Sequence, residues 1–346
     1  MKKKRYIKLF LVLSAVVMIT ASCAPAARYV SDSFFAMDTL IEIKLAKNTA
    51  DAGEIFRKCR DITSELEKKL SAEDGASDIA RFNMSGGGCV VSPEVGEIFM
   101  IACDVVRASG GAFDPTTYPA TLMWRGAEKN GVLPTDDEIA RAAEKCGISL
   151  IAYDPESGML SKKESWVMLD LGGVGKGYAE AKVVSYLEST DAAYGVLSFG
   201  GNISVFGEHP DKNFTIALRD PAAEAYAGNI SVAEGFISVS GGYERYYEID
   251  GKKYCHIIDP RTGKPVSGRL LSAAVISGDG AAADALSTAL FAADTTDAAL
   301  ALYNAQSKTA LSFEAILIYE NEIYITPGLK DSFSLSCGRT IKVLGS

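Results

Sequence analysis

Four stretches of this 346-residue chain hold residues whose types and spacing could do chemistry. "AAADALSTALFAA" (281–293) puts Asp284 and Thr288 four positions apart, so on a helix their oxygens share a face. The surrounding residues are small and apolar, as in a buried helix. A carboxylate there must be paired, protonated or bound to a cation. Hard oxygens of this kind suit Mg2+, which also bridges substrate phosphates; an arginine partner or a loop cap would satisfy Asp284 equally well. "LDLGGVGKGYAE" (169–180) crowds four glycines into six residues around Lys176 and reads as a strand end followed by a helix. Its amides and its cation suit a phosphate or pyrophosphate. The Walker spacing and the G-x-G-x-x-G pattern are both missing, and an ordinary tight turn has the same composition. "GGAFDPTTYPATLMW" (110–124) sets Asp114 beside Phe113, either along a ligand or as a helix-to-loop cap. "CHIIDPRTGKPV" (255–266) holds His256, one of only two histidines, just before a turn built from Asp259, Pro260, Arg261, Thr262 and Gly263. A lone histidine at a strand end is commonly structural. Beside a magnesium-type pair and a diphosphate-type loop, it suggests phosphoryl or nucleotidyl chemistry, in which metal and positioning do most of the work.

The elements that must position these residues mix helices and strands without strict alternation, which predicts an α+β fold. "FFAMDTLIEIKL" (34–45) alternates as a first strand. Ile55, Cys59, Ile62, Leu66 and Leu70 form one helical stripe, and Val95, Phe99, Ala102 and Val106 form another that stops at paired glycines. A helix is predicted over 134–147 with Thr135 as N-cap. Strands follow around 165–171, 194–199, 214–218, 236–240, 244–249 and 271–277, then a helix over 281–293 and strands near 314–326. No linker divides residues 34–346, so they form one unit.

The first 23 residues are a different object. A basic front of five Lys and Arg residues precedes "LFLVLSAVVMIT", which ends at "ASC", a short export signal rather than a spanning helix. Cys23 behind two small residues resembles the lipobox of bacterial lipoproteins, in which the cysteine is lipidated and becomes the first mature residue. Thr20 stands where that motif usually has Leu, and a plain secretory signal is the alternative. Residues 24–33 read as a tether. Lipid anchoring would place the protein on the outward face of the bacterial cell membrane. Removing residues 1–23 takes away five positive charges and no negative ones, lowering the net charge from −9 to −14. That balance excludes nucleic acid as a partner through the chain's own field, though not a phosphate ligand held by local amides and a metal. The six cysteines beyond Cys23 are widely spaced with no C-x-x-C pair, so neither a zinc site nor a disulfide framework is expected; Cys59 and Cys103 fall at apolar helix positions and read as buried thiols.

"FAMDTLIEI", "GAFDPTTYPATLMW", "DLGGVGKGYAE", "GVLSFGGNISVFG", "SVSGGYERYYEIDGKKYCHIIDPRTGKPV" and "ADALSTALF" occur in the order and spacing of ApbE-type flavin transferases. The resemblance covers essentially all of residues 30–346. It implies a T-fold-like unit of mixed or antiparallel sheets with packed helices. The implied activity is Mg2+-dependent cleavage of the FAD pyrophosphate, with FMN attached by a phosphoester to a threonine of an acceptor protein and AMP released. The acceptor would be a membrane redox subunit or a secreted flavoprotein. By the same resemblance, Asp284 and Thr288 would be side-chain ligands of Mg2+, with the Gly175 carbonyl completing the set. Met37, Ala112, Phe113, Asp114, Gly172 and Ile258 would lie along the FAD, with Lys176 near its phosphates. His256 would sit at the flavin or reacting-phosphate end, and His256 and Asp284 would be the catalytic residues. The chain departs from the family where "MDT" replaces the common Met-Gly-Thr at Asp38. It departs again at Ala181, where Asp is frequent, with Glu180 beside it, and at Glu73, where relatives place an aromatic or Asn over the flavin. Two other functions use the same residues: a Mg2+-dependent FAD pyrophosphatase with water as nucleophile, and a flavin-binding lipoprotein without turnover.

Overall fold

In the computed structural model, which describes residues 28–243 and 245–345, a nine-stranded sheet takes its strands in chain order. β1 (Tyr29–Ala36), β2 (Thr39–Ala46), β3 (Tyr194–Phe199), β4 (Asn202–Gly207), β5 (Gly235–Gly241), β6 (Ser272–Ser277), β7 (Phe313–Ile318) and β8 (Glu322–Ile325) are successive antiparallel neighbours. β9 (Thr340–Val343) closes the edge parallel to β8. Between β2 and β3 lie α1 (Ala52–Leu70), α2 (Asp78–Met84), α3 (Pro93–Ala108), α4 (Tyr118–Asn130), α5 (Asp136–Ala143) and α6 (Gly172–Glu188); between β6 and β7 lie α7 (Gly280–Ala293) and α8 (Thr296–Ala305). The order is therefore β-β-helices-β-β, twice over. This is the expected α+β class, with antiparallel pairing dominant.

Both faces of the sheet are covered. The two-residue period sends Ile41, Ile43, Leu197, Phe199 and Val275 toward the helices. Val196, Ile203, Val205, Ile237 and Ile316 point the other way, onto a small sheet of Phe214–Arg219, Tyr226–Val232 and Phe333–Leu335. A separate cluster of Trp124, Ile139, Tyr247, Ile249 and Ile258 joins α4 and α5 to the hairpin Tyr246–Ile249/Lys252–Cys255. The predicted stripes on α1 and α3 face the main core, with Ile62 and Val106 partly buried at its margin.

Four sequence expectations are corrected. The stretch 34–45 is two strands, because the chain reverses at Met37 and Asp38, with φ of 51° and 57°, between the paired residues Ala36 and Thr39. That is the left-handed pair of a two-residue hairpin, made here without glycine. Residues 29–33, read as tether, belong to β1. Residues 165–171 form no strand, although Val167, Leu169 and Leu171 are buried in alternation. Side chains do the work of a neighbouring strand: the Asn83 amide donates to the Leu169 carbonyl at 2.8 Å and accepts its N–H at 2.7 Å, and Lys162 Nζ donates to the Val167 carbonyl at 2.9 Å. The helix expected over 134–147 is the shorter α5. It starts at the predicted Thr135 cap, closed by Glu138, and ends where Lys145 and Cys146 turn to carbonyls three residues back.

The six cysteines of the described residues are all free. Burial pushes the Cys59 thiol up to about 12 and the Cys103 thiol to about 11; Cys59 is a buried core group as expected, whereas Cys103 is only partly buried at the core's margin. Cys23 lies outside the described residues. Among those residues no helix is long and apolar enough to cross a membrane.

Candidate active site at the crossing of α6 and α7

The glycines expected to form a loop form the first turns of α6 instead. Their purpose is close approach. A Cβ on Gly177 would stand 2.0 Å from the Gly280 carbonyl oxygen, and one on Gly280 would stand 2.5 Å from the Gly177 carbonyl. Only a glycine pair lets α6 and α7 cross backbone to backbone. The crossing brings the Gly177 N–H onto Asp284 Oδ2 at 3.0 Å, and Lys176 Nζ lies 3.6 Å from the same oxygen. Thr288 lies one turn further on, its Oγ1 donating to the Asp284 carbonyl at 3.2 Å.

Other predicted residues meet at the same turns. A Cβ on Gly173 would lie 3.1 Å from the Phe113 ring and 3.7 Å from Thr288 Oγ1; one on Gly175 would lie 3.9 Å from Met37 Cε. Met37 is fixed by its N–H on Glu67 Oε1 at 2.7 Å. The helix-start amides are partly used already, Gly172 N–H on Asp170 Oδ1 at 2.8 Å and Gly175 N–H on the Leu171 carbonyl at 2.7 Å, so a phosphate finds fewer of them than a glycine loop would offer. Lys176 Nζ donates to the Gly172 carbonyl at 3.1 Å, which aims the ammonium back along the turn.

His256 reaches the site from the hairpin. Its Nδ1 is 2.9 Å from the Arg245 carbonyl. A carbonyl only accepts, so the ring donates from Nδ1 and keeps a lone pair on Nε2. Burial lowers its pKa to about 4, with the positive charges of Arg245 and Lys176 adding to the shift, so the ring is neutral at physiological pH. Arg245 in turn donates to the Asp38 carbonyl at 2.5 Å and ties the β1–β2 turn to the histidine. The turn after His256 is anchored where Trp124 Nε1 donates to the Gly263 carbonyl at 2.9 Å.

Three predicted residues play supporting parts. The Asp114 carboxylate is occupied by the Thr116 N–H and hydroxyl at 2.9 and 2.6 Å and by the Ile148 N–H at 3.1 Å, so it is a loop clasp that fixes Phe113. Ala112 is buried with its N–H on the Ser109 carbonyl, and Ile258 belongs to the Trp124 cluster.

Several residues of the site carried no sequence expectation. Asp170 is pushed up by burial, against the pull of the Gly172 N–H, Arg125 and Lys176. Beneath Asp284, the helix-facing side of β4 and β5 is polar: Asn202, Ser204, Ser238 and Ser240 line it, with Ser287 of α7 opposite. Glu180 of α6 is buried nearby, and burial raises its carboxyl well above the usual range; Asp284 adds to the shift while Ser204 opposes it.

The donor set fits Mg2+. Asp284 Oδ1 has only a 3.5 Å contact with Ser238 Oγ, and Thr288 Oγ1 keeps lone pairs after donating. No group of three His, Cys, Asp or Glu side chains that could hold a metal occurs among the described residues. A cation here would have one carboxylate, a hydroxyl, a carbonyl, and otherwise water or substrate oxygens, which is the habit of Mg2+ rather than of zinc.

The architecture is shared with solved ApbE structures. The ApbE protein of Thermotoga maritima superposes with a TM-score of 0.77 at 26% identity, covering 89% of this chain and 97% of that one. The flavin transferase ApbE of Vibrio cholerae gives 0.74 at 25% identity over 90% and 98%. The chain belongs to the ApbE family, whose model matches residues 37–313. It is similar to the FAD:protein FMN transferase of Haemophilus influenzae, 29% identical over 296 residues, 80% of this chain and 84% of that protein.

Proposed function

We propose that this chain is an FAD:protein FMN transferase, a Mg2+-dependent enzyme that passes FMN from FAD to a threonine of an acceptor protein and releases AMP. The observation that carries the reading is, in a member of this family, the meeting of Asp284, Thr288 and Lys176 at the first turns of α6, with a neutral His256 near enough for the Lys176 charge to lower its pKa. In the transfer, a bond forms between the threonine oxygen and the FMN phosphorus, and the bond from that phosphorus to the bridging oxygen breaks, leaving AMP. His256 Nε2 takes the threonine proton. Lys176 stabilises the charge of the diphosphate, and Asp284, Thr288 and the Gly175 carbonyl would hold the cation. Mg2+ bound there supplies charge neutralisation on the phosphate oxygens. Met37, Phe113 and Gly172 border the FAD, backed by Ala112, Asp114 and Ile258.

Export by residues 1–23, lipidation at Cys23 and an outward-facing position on the bacterial membrane complete the reading. The acceptor would then be an extracytoplasmic threonine-bearing flavoprotein. Incubating the purified protein with FAD, Mg2+ and such an acceptor domain tests it. Flavin fluorescence that stays on the acceptor through denaturing electrophoresis, lost with EDTA, is the expected result. AMP and free FMN with unlabelled acceptor would instead make it a pyrophosphatase for that acceptor, with water as nucleophile.

A further inference from the structure

One residue touches two parts of the site. The hairpin ladder Tyr246–Ile249/Lys252–Cys255 ends at the pair Tyr246 and Cys255, so Arg245 and His256 face each other one step beyond it, at the end where a two-stranded ribbon frays. There the Arg245 carbonyl holds His256 twice, taking its backbone N–H at 3.3 Å and its Nδ1–H at 2.9 Å. The Arg245 side chain, itself exposed, crosses to the β1–β2 turn and donates to the Asp38 carbonyl at 2.5 Å. That turn needs holding. Met37 and Asp38 take left-handed backbone in succession, which costs conformational energy in residues other than glycine. Glu67 holds the turn at the Met37 N–H, and Arg245 holds it at the next carbonyl.

We propose that Arg245 is a positioning residue that clamps the open end of this hairpin onto the β1–β2 turn, and so fixes both which ring nitrogen of His256 carries the proton and where the histidine stands relative to Met37. The proton follows the carbonyl. While Arg245 is held, Nδ1 donates and Nε2 keeps the lone pair that the proposed reaction uses. With the clamp gone, the carbonyl moves with the fraying end and the ring is free to carry its proton on Nε2. The base is then lost with the histidine still in place. The turn loosens as well, so a flavin bordered by Met37 loses a fixed wall.

The inference rests on the flavin and base placements of the proposed function, and two readouts keep the two apart. Heteronuclear NMR of the histidine ring nitrogens at about pH 8, with neither flavin nor metal, reads the tautomers; burial lowers both pKa values, so both rings are neutral there. His209 is the internal standard, because its Nδ1 accepts the Asp211 N–H at 3.2 Å and its proton therefore sits on Nε2, opposite to His256. In Arg245→Met, His256 is expected to pass from the Nδ1–H form to a mixture of both forms while His209 stays as it is. The second readout is flavin binding in EDTA, followed by fluorescence. Arg245→Met is expected to bind FAD and riboflavin each about tenfold more weakly, the worth of one hydrogen bond to a charged group, with an unchanged melting midpoint. Arg245→Lys keeps a donor for the single carbonyl; it should show the wild-type tautomer and bind both flavins within about threefold of wild type. Should Arg245→Met fail to fold, Arg245→Ala carries the same expectations. A His256 tautomer unmoved in the truncated variant overturns the clamp, whether or not the midpoint falls. A loss for FAD with none for riboflavin overturns it too, since that is the mark of a guanidinium touching phosphate directly. Wild-type protein that binds neither flavin refutes the proposed function, and the tautomer comparison then decides the clamp alone.

Discussion

Gly177→Ala should damage both the fold and the site, and the size of the effect follows from the crossing. The added methyl would lie 2.0 Å from the Gly280 carbonyl oxygen, 2.7 Å from its carbon and 2.8 Å from Asp284 Cβ. Ordinary contact begins at 3.4 Å, so the helices must part by about 1.4 Å along the shortest line (3.4 less 2.0). Two of the three obstacles are backbone atoms, which cannot rotate away. A radial gap of about 1 Å already forfeits up to half of the dispersion well of the atoms on either side. Overpacking costs about 1–3 kcal/mol, and a clash with backbone atoms belongs at the upper end; the better helix propensity of alanine returns about 1, leaving a net loss of about 2 kcal/mol. The same displacement stretches the Gly177 N–H bond to Asp284 from 3.0 Å beyond hydrogen-bonding range, so Mg2+-dependent AMP release should fall about tenfold or more. Gly126→Ala is the control: it lies inside α4 with nothing within 4 Å of its added carbon, and should gain about 0.5–1 kcal/mol. Guanidinium denaturation with an unchanged slope measures both. A Gly177→Ala protein as stable as wild type, beside a Gly126→Ala protein that gains as expected, would refute the close-crossing argument.

The depressed pKa of His256, about 4, predicts that kcat/KM for AMP release stays flat from pH 8 down to about pH 5.5 and falls only toward pH 4; a half-loss near 6.5 would contradict it. Because the folded value lies below the unfolded one, the histidine's contribution to stability is complete above about pH 6.5 and is lost as the pH falls toward 4, which denaturation midpoints across that range would register. His256→Gln should lower AMP release by about 100-fold if Nε2 is the base. Asp284→Ala should abolish the Mg2+ dependence seen against EDTA, and unchanged activity would remove Asp284 from the site. Far from the site, Arg339 and Asp220 form an ion pair with side chains 8% and 6% exposed, Arg339 also donating to the Tyr319 carbonyl at 2.8 Å. Arg339→Ala should cost about 3–5 kcal/mol in denaturation and leave the specific activity of folded protein intact.

The parts of this molecule legible in its sequence are those where one pattern has one use. The stripes of α1 and α3, the strands near 194–199, 236–240 and 271–277, and the small-residue helix carrying Asp284 follow directly from periodicity. The β1–β2 reversal was hidden because Met37 and Asp38 take left-handed backbone that usually announces itself with glycine or asparagine. The segment 165–171 alternates as a strand does, yet its partner is the side chain of Asn83, which no periodicity reveals. The buried polar layer was misdirecting for a related reason. "NIS" in β4 and "SVS" in β5 alternate as if the serines and Asn202 faced water, but both faces of this sheet are covered and the polar one looks onto α6 and α7. The close approach of two glycines 103 positions apart in the chain is likewise a property of the crossing and not of either helix.

The chain-order sheet has a consequence for how the protein comes to be assembled. Most neighbouring strands are joined by short or moderate connections and can pair as soon as both exist, whereas the Gly177 and Asp284 partners are separated by 107 residues. Loop-closure entropy places such contacts late, after the local hairpins have formed. Lys176 is carried by the first β-β-helices-β-β half and Asp284 by the second, so the proposed reaction would need both halves docked. A chain cut short before α7 is then expected to release no AMP from FAD.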